Sequence, residues 1–130
     1  MDQETPTSYS QDTLIRRIIR SLEKNQFQKI RASYTKTPYA LPKKYYGHMP
    51  VITGHDTMNQ FYIFEISLDD YVDNTTEEAR CIAFAKHAAL HQAQFIWFVP
   101  TGKKDNAITL ATKWKILSKI KHIKEIDLNR

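Results

Sequence analysis

The run Phe61-Tyr-Ile-Phe-Glu-Ile66 is apolar at nearly every position, and a single charge, Glu65, interrupts it. A strand of that kind has to be covered on both faces, which predicts a central strand over residues 60–68 of an α/β sheet. After a polar break at Asp69 to Asn74, Thr75-Thr76-Glu77-Glu78 has the form of a capping box, with Thr75 as N-cap and Glu78 at N3. A helix over 76–93 follows, with Ala79, Ile82, Ala83, Ala89, Leu90 and Ala93 as its predicted buried stripe. Phe95 to Val99 returns as a second buried strand, ended by Pro100-Thr101-Gly102. Such a strand, helix, strand crossover makes its two strands parallel.

Upstream, Leu14, Ile15, Ile18, Ile19 and Leu22 form one helical stripe, with Asp12 as the predicted N-cap. Arg16, Arg17, Arg20 and Lys24 occupy the other face. Ser33 to Tyr46, with two prolines, four tyrosines and three lysines, reads as loop and edge strand. His48 to Thr53 and Gln60 to Leu68 read as an antiparallel hairpin around Gly54 to Asn59. Near the C-terminus, Asp105 is the expected cap of a helix turning Leu110, Trp114 and Leu117 inward, and Ile126 to Leu128 the expected last strand. The predicted fold class is thus α/β, a small mixed β-sheet with flanking helices.

A length of 130 residues suits one domain, read as 13–130 behind a flexible N-terminal tail at 1–12. The single cysteine, Cys81, forms no internal disulfide, and a reducing, cytoplasmic setting is the expectation. No apolar run approaches the ~20 residues of a membrane helix, so no membrane partner is expected. The net charge of +5 is uneven: residues 14–44 and 113–130 are basic, and 45–80 are acidic. Basic surfaces attract nucleic acid or acidic proteins, although solvation alone also accounts for them.

The order helix, irregular strand, hairpin, helix, strand resembles the PD-(D/E)XK nuclease superfamily, whose core is αβββαβ, a restriction-endonuclease-like type. The resemblance covers about residues 14–99 and rests on element order and two short motifs, His48-Met49-Pro50-Val51 and Phe64-Glu65-Ile66-Ser67. It implies an aspartate after the proline and an acid-x-Lys triplet, which together hold metal and place a lysine near the attacking water. Here Val51 replaces the aspartate and Ser67 the lysine, so only Glu65 remains. One carboxylate is a poor cradle for magnesium, and the implied site is a disabled one. Asp56 lies in the hairpin turn, too far from Glu65 to replace the missing carboxylate.

Read from the residues alone, a charge within an apolar strand needs a partner. Lys86, in the middle of the predicted helical stripe, is the expected one. Glu65 and Lys86 are accordingly the candidate catalytic remnant, weighed against a purely structural ion pair or a lysine that reaches solvent. His87 and His91 stand at i and i+4, but they lack a third ligand, so no metal site is assigned. Cys81 reads as a packing residue.

Aromatic residues mixed with Lys36, Lys43 and Lys44 suit unpaired bases, or merely cap a sheet edge. The leading functional expectation is a catalytically degenerate nuclease-like protein, leaning away from an enzyme. It binds DNA, RNA or a nucleic-acid-handling complex through Arg16, Arg17, Arg20, Lys24, Lys43 and Lys44. The rivals are a protein-interaction adaptor and an active metal-dependent nuclease using Glu65 and Lys86. No cofactor is expected, apart from magnesium under that last reading.

Overall fold

The computed structural model describes residues 6–34, 36, 38–68 and 75–127, with the side chains of residues 6–10 outside that description. The elements are α1 (Pro6–Lys24), β1 (Gln28–Ala32), β2 (Ile52–His55), β3 (Phe61–Ile66), α2 (Thr75–His91), β4 (Gln94–Pro100), α3 (Lys104–Lys113), a short 3-10 turn (Leu117–Lys119) and β5 (His122–Ile126). The first six run α, β, β, β, α, β, the core order implied by the resemblance.

The five strands form one mixed sheet in sequence order, β1-β2-β3-β4-β5. β1 to β3 are antiparallel, and β3, β4 and β5 run parallel. β3 is central, as its continuous apolar run predicts. The hairpin before it turns on Asp56, whose Oδ1 accepts from the N–H groups of Met58 and Gln60, both at 2.9 Å. That role accounts for Asp56 and keeps it in the turn.

Alternation along β3 divides the core into two layers. Phe64 and Ile66 face α1 and its buried stripe Leu14, Ile15, Ile18, Ile19 and Leu22. Ile63 faces Cys81, Phe84, Ala85 and Ala88 of α2, together with Phe95, Trp97 and Val99 of β4.

Several boundaries and phases differ from expectation. α1 starts at Pro6, not at Asp12, so much of the expected tail is helix. Proline suits a first helical turn, where its missing N–H has no partner to lose. Residues Pro6 to Asp12 carry no apolar periodicity that would announce it. The first strand lies at Gln28–Ala32, just ahead of the tyrosine-rich run, which is loop apart from an isolated bridge between Tyr45 and His48. The break at 69–74 falls outside the described residues.

α2 is rotated relative to its predicted stripe: Cys81, Phe84, Ala85 and Ala88 are buried, whereas Ala79, Lys86, Ala89 and Leu90 are exposed. In a helix rich in alanine, either phase presents small apolar residues. The aromatic Phe84, which gains most from burial, selects the phase. α3 buries Ala107 and Ala111 and ends before Leu117, which falls in the 3-10 turn and is 39% exposed. Its start is held not by Asp105 but by Glu125 of β5, whose Oε2 accepts from the N–H groups of Gly102 at 3.0 Å and Lys104 at 3.2 Å. The last strand is His122–Ile126, a few residues before the expected one.

Candidate functional site

Glu65 lies one residue from the C-terminal end of β3, on the face that meets α2. It is 1% exposed, so its charge has to be met inside the protein. Arg80 meets it as a fork: Nε donates to Oε2 at 2.7 Å and Nη2 to Oε1 at 2.8 Å. The same Nη2 donates to the carbonyl of Met49 at 2.7 Å, which ties α2 to the segment entering β2. Both carboxylate oxygens are therefore taken by one guanidinium, in the planar geometry that arginine offers and lysine does not. Burial works against the Arg80 charge, but the hydrogen bond and charge of Glu65 outweigh it and raise its pKa.

A second carboxyl, Glu77, is buried beside the pair. Its pKa is pushed up to about 9, first by burial, then by the Glu65 charge and a hydrogen bond with Glu65. Arg80 and a hydrogen bond with Ser67 pull the other way without prevailing. Glu77 thus holds its proton at neutral pH, as expected where two carboxyls share a dry site. The Trp97 indole Nε1 donates to Ser67 Oγ at 2.8 Å, and Cys81 Sγ lies 3.7 Å from Glu77 Oε2. Burial, followed by the charges of Glu77 and Glu65, raises the Cys81 thiol pKa, so Cys81 is a packed thiol rather than a nucleophile. The network runs from Trp97 through Ser67, Glu77, Glu65 and Arg80 to Met49, and its formal charges cancel.

This arrangement corrects the expected pairing of Glu65 with Lys86. Lys86 is exposed, with its Nζ 4.9 Å from the centroid of the Tyr46 ring. The reason is the direction of the crossover. α2 runs back along β3 from the end where Glu65 sits, so the partners of Glu65 come from its first two turns. Lys86 lies six residues beyond Arg80, about 9 Å farther along the axis. A sequence signal for Arg80 existed in the strand, helix, strand reading itself, because a residue at the end of a strand meets the start of the helix that follows.

The cleft beside the network, about 480 Å³, is lined by Gln11, Ser33, Val51, Glu65, Glu77 and Arg80, among others. Val51 and Ser67 stand where the resemblance implies an aspartate and a lysine, and both are buried. These residues do not fit a divalent metal ion. Arg80 hydrogen-bonds both Glu65 oxygens and sets its own positive charge beside them, and Val51 has no donor. The rings of His87 and His91 stack at 4.3 Å, and His87 also packs on Tyr45 at 4.0 Å. Among the described residues, no group of three or more His, Cys, Asp or Glu is placed to hold a metal ion.

The predicted basic residues are divided among three surfaces. Arg16 and Arg20 are exposed and line a cleft of about 410 Å³ with Tyr34, Lys36 and Tyr39, and Arg16 lies 5.8 Å from the Tyr34 ring centroid. Arg17 turns toward the last strand, where it donates to the Asp127 carbonyl at 2.8 Å and shares a groove with His122 and Lys124. Lys24 is exposed at the end of α1, and Lys43 and Lys44 are exposed in the loop before β2. Sequence reasoning passed over two further cations, Lys29 and Arg31 of β1.

No protein-family model and no curated protein matches the chain. Among solved structures it is similar to a repair endonuclease from Pyrococcus abyssi, at 16% identity with a TM-score of 0.47. That likeness covers 98% of this chain and 49% of the endonuclease, so the chain spans about half the length of that protein. No helix among the described residues is long and apolar enough to cross a membrane.

Proposed function

We propose that this chain is a catalytically degenerate PD-(D/E)XK-like protein that binds nucleic acid through its basic surfaces. The observation that carries the first half is the fork between Arg80 and Glu65. The single acid left from the family's pattern is hydrogen-bonded on both oxygens by an internal cation. The second half is supported by the exposed cations on α1 and in the loop before β2, which have the character of a backbone-binding surface.

The test is cleavage of labelled single- and double-stranded DNA and RNA with magnesium or manganese, run beside binding at low salt. No cleavage is expected. Binding is expected to weaken steeply with salt, and the double substitution Arg16→Glu with Arg20→Glu to reduce it at unchanged melting temperature, since both side chains point away from the core. Metal-dependent cleavage would restore the nuclease reading. A wild type that binds no nucleic acid at low salt would move the weight to a protein-interaction adaptor.

A further inference from the structure

The other end of β3 borders a second cleft, of about 530 Å³, whose lining includes Lys29, Arg31, Lys43, Tyr45, His55 and Phe61. It is remote from the Glu65 network. Phe61 and Glu65 are four residues apart on one strand, about 13 Å. Its lining comes from β1, β2, the first residue of β3 and the chain between Ala40 and Tyr45.

The walls and the floor differ in chemistry. Three cations line the cleft, and no acidic side chain does. Among the described residues none of the three is in an ion pair, although Arg31 is steadied by donating from Nη1 to the Leu41 carbonyl at 3.2 Å. The ladder between β1 and β2 is irregular between Gln28 and Arg31, and Lys29 within that bulge holds φ at 54°. A non-glycine residue in the left-handed region is strained, and bulges re-aim side chains.

The rings form the other part. His55 and Phe61 pack at 5.0 Å between centroids, and Tyr45 stands beside them with its ring on His87 at 4.0 Å. Burial first and Lys29 second lower the His55 pKa, against the pull of Asp56, so at neutral pH this ring is neutral. Its Nδ1 is shielded from solvent and has no hydrogen-bond partner among the described residues. A neutral aromatic floor next to unpaired cations suits a ligand that is itself half aromatic and half anionic.

We infer that this cleft binds a nucleoside phosphate with an unpaired base, the phosphate held by Lys29, Arg31 and Lys43 and the base set against Tyr45, His55 and Phe61. Aromatic faces beside cations are the general means of holding single-stranded bases. The inference rests on the nucleic-acid reading above and adds a place and a strandedness to it: single strands over duplex, at a surface apart from α1.

The experiment measures anisotropy of a labelled single strand of about ten nucleotides, the matching duplex, and competition by AMP. The proteins are the wild type, the double variant Lys29→Gln with Lys43→Gln, and the double variant Arg16→Glu with Arg20→Glu. Both lysines are exposed, so melting of the first variant stays near wild type. The wild type is expected to prefer the single strand. The Lys29/Lys43 variant should lose at least about tenfold in affinity, with a salt dependence shallower by about two phosphate contacts. Competition by AMP would identify a free nucleotide as a ligand of the same chemistry, and its failure beside tight strand binding would identify a nucleotide within a strand. Unchanged binding in the lysine variant overturns the cleft, and if the arginine variant then loses binding, the nucleic-acid reading survives without it. Equal affinity for the duplex also overturns it. A wild type that binds neither strand nor AMP removes both.

Discussion

The two ends of β3 treat charge in opposite ways. At the Glu65 end, a buried carboxylate, a partly buried guanidinium and a buried protonated carboxyl meet, and their formal charges cancel. At the Phe61 end, Lys29, Arg31 and Lys43 border an open cleft with no acid to meet them. Groups that satisfy one another act first on stability, whereas an open set of like charges is stabilised by an anion from outside. The contrast separates where this protein is held together from where it can bind.

The largest effect is expected from Arg80→Met. It leaves Glu65 buried beside Glu77 without a counter-charge, and removing one partner of a buried pair costs about 3–5 kcal/mol. Urea denaturation at pH 7 measures it. A loss below about 1 kcal/mol would mean that water reaches Glu65 and that this end is not closed.

A second effect is a pH dependence of stability that arises at this end. The folded protein holds a proton on Glu77 up to about pH 9, and the unfolded chain releases it near 4.5. Between those values the native state binds the extra proton, so its stability falls as pH rises. The contribution is complete below about 4.5 and is lost as pH climbs through about 9. Glu77→Gln keeps a neutral hydrogen-bonding group, and it should flatten that slope and raise the melting temperature at pH 8 relative to wild type. An unchanged slope would place the titration elsewhere.

The smallest effect is expected from Lys86→Met. An exposed lysine over the Tyr46 ring contributes little, and the change in stability should stay within about 0.5 kcal/mol. Set beside Arg80→Met, it separates the observed partner of Glu65 from the one that helix periodicity suggested. A large loss in Lys86→Met would reverse that assignment.

Much of the architecture is written in local pattern. The continuous apolar run of β3, the hairpin before it, the parallel return at Phe95 to Val99 and the stripe of α1 all follow from neighbours within a few residues. Glu65 stands out as a buried charge from the apolar run around it, and the exposure of Arg16 and Arg20 follows from the stripe opposite them.

Its partner was not legible in the same way. Arg80 is 15 residues from Glu65, and their contact depends on the direction in which α2 runs back along β3 and on its rotational phase. In that alanine-rich helix the phase is set by where Phe84 finds room, which is a property of the packed sheet. The basic cleft is a still more distant product, since Lys29, Lys43 and His55 come from a bulge, a loop and a strand end. The sequence by itself determined the central strand, its hairpin, the crossover helix with its parallel return and the need for a counter-charge at Glu65, because short-range periodicity and the cost of burying a charge act wherever the chain goes. Only the tertiary structure decided that the counter-charge is Arg80 and that three cations share one opening, because those facts depend on distances between segments that no local pattern encodes.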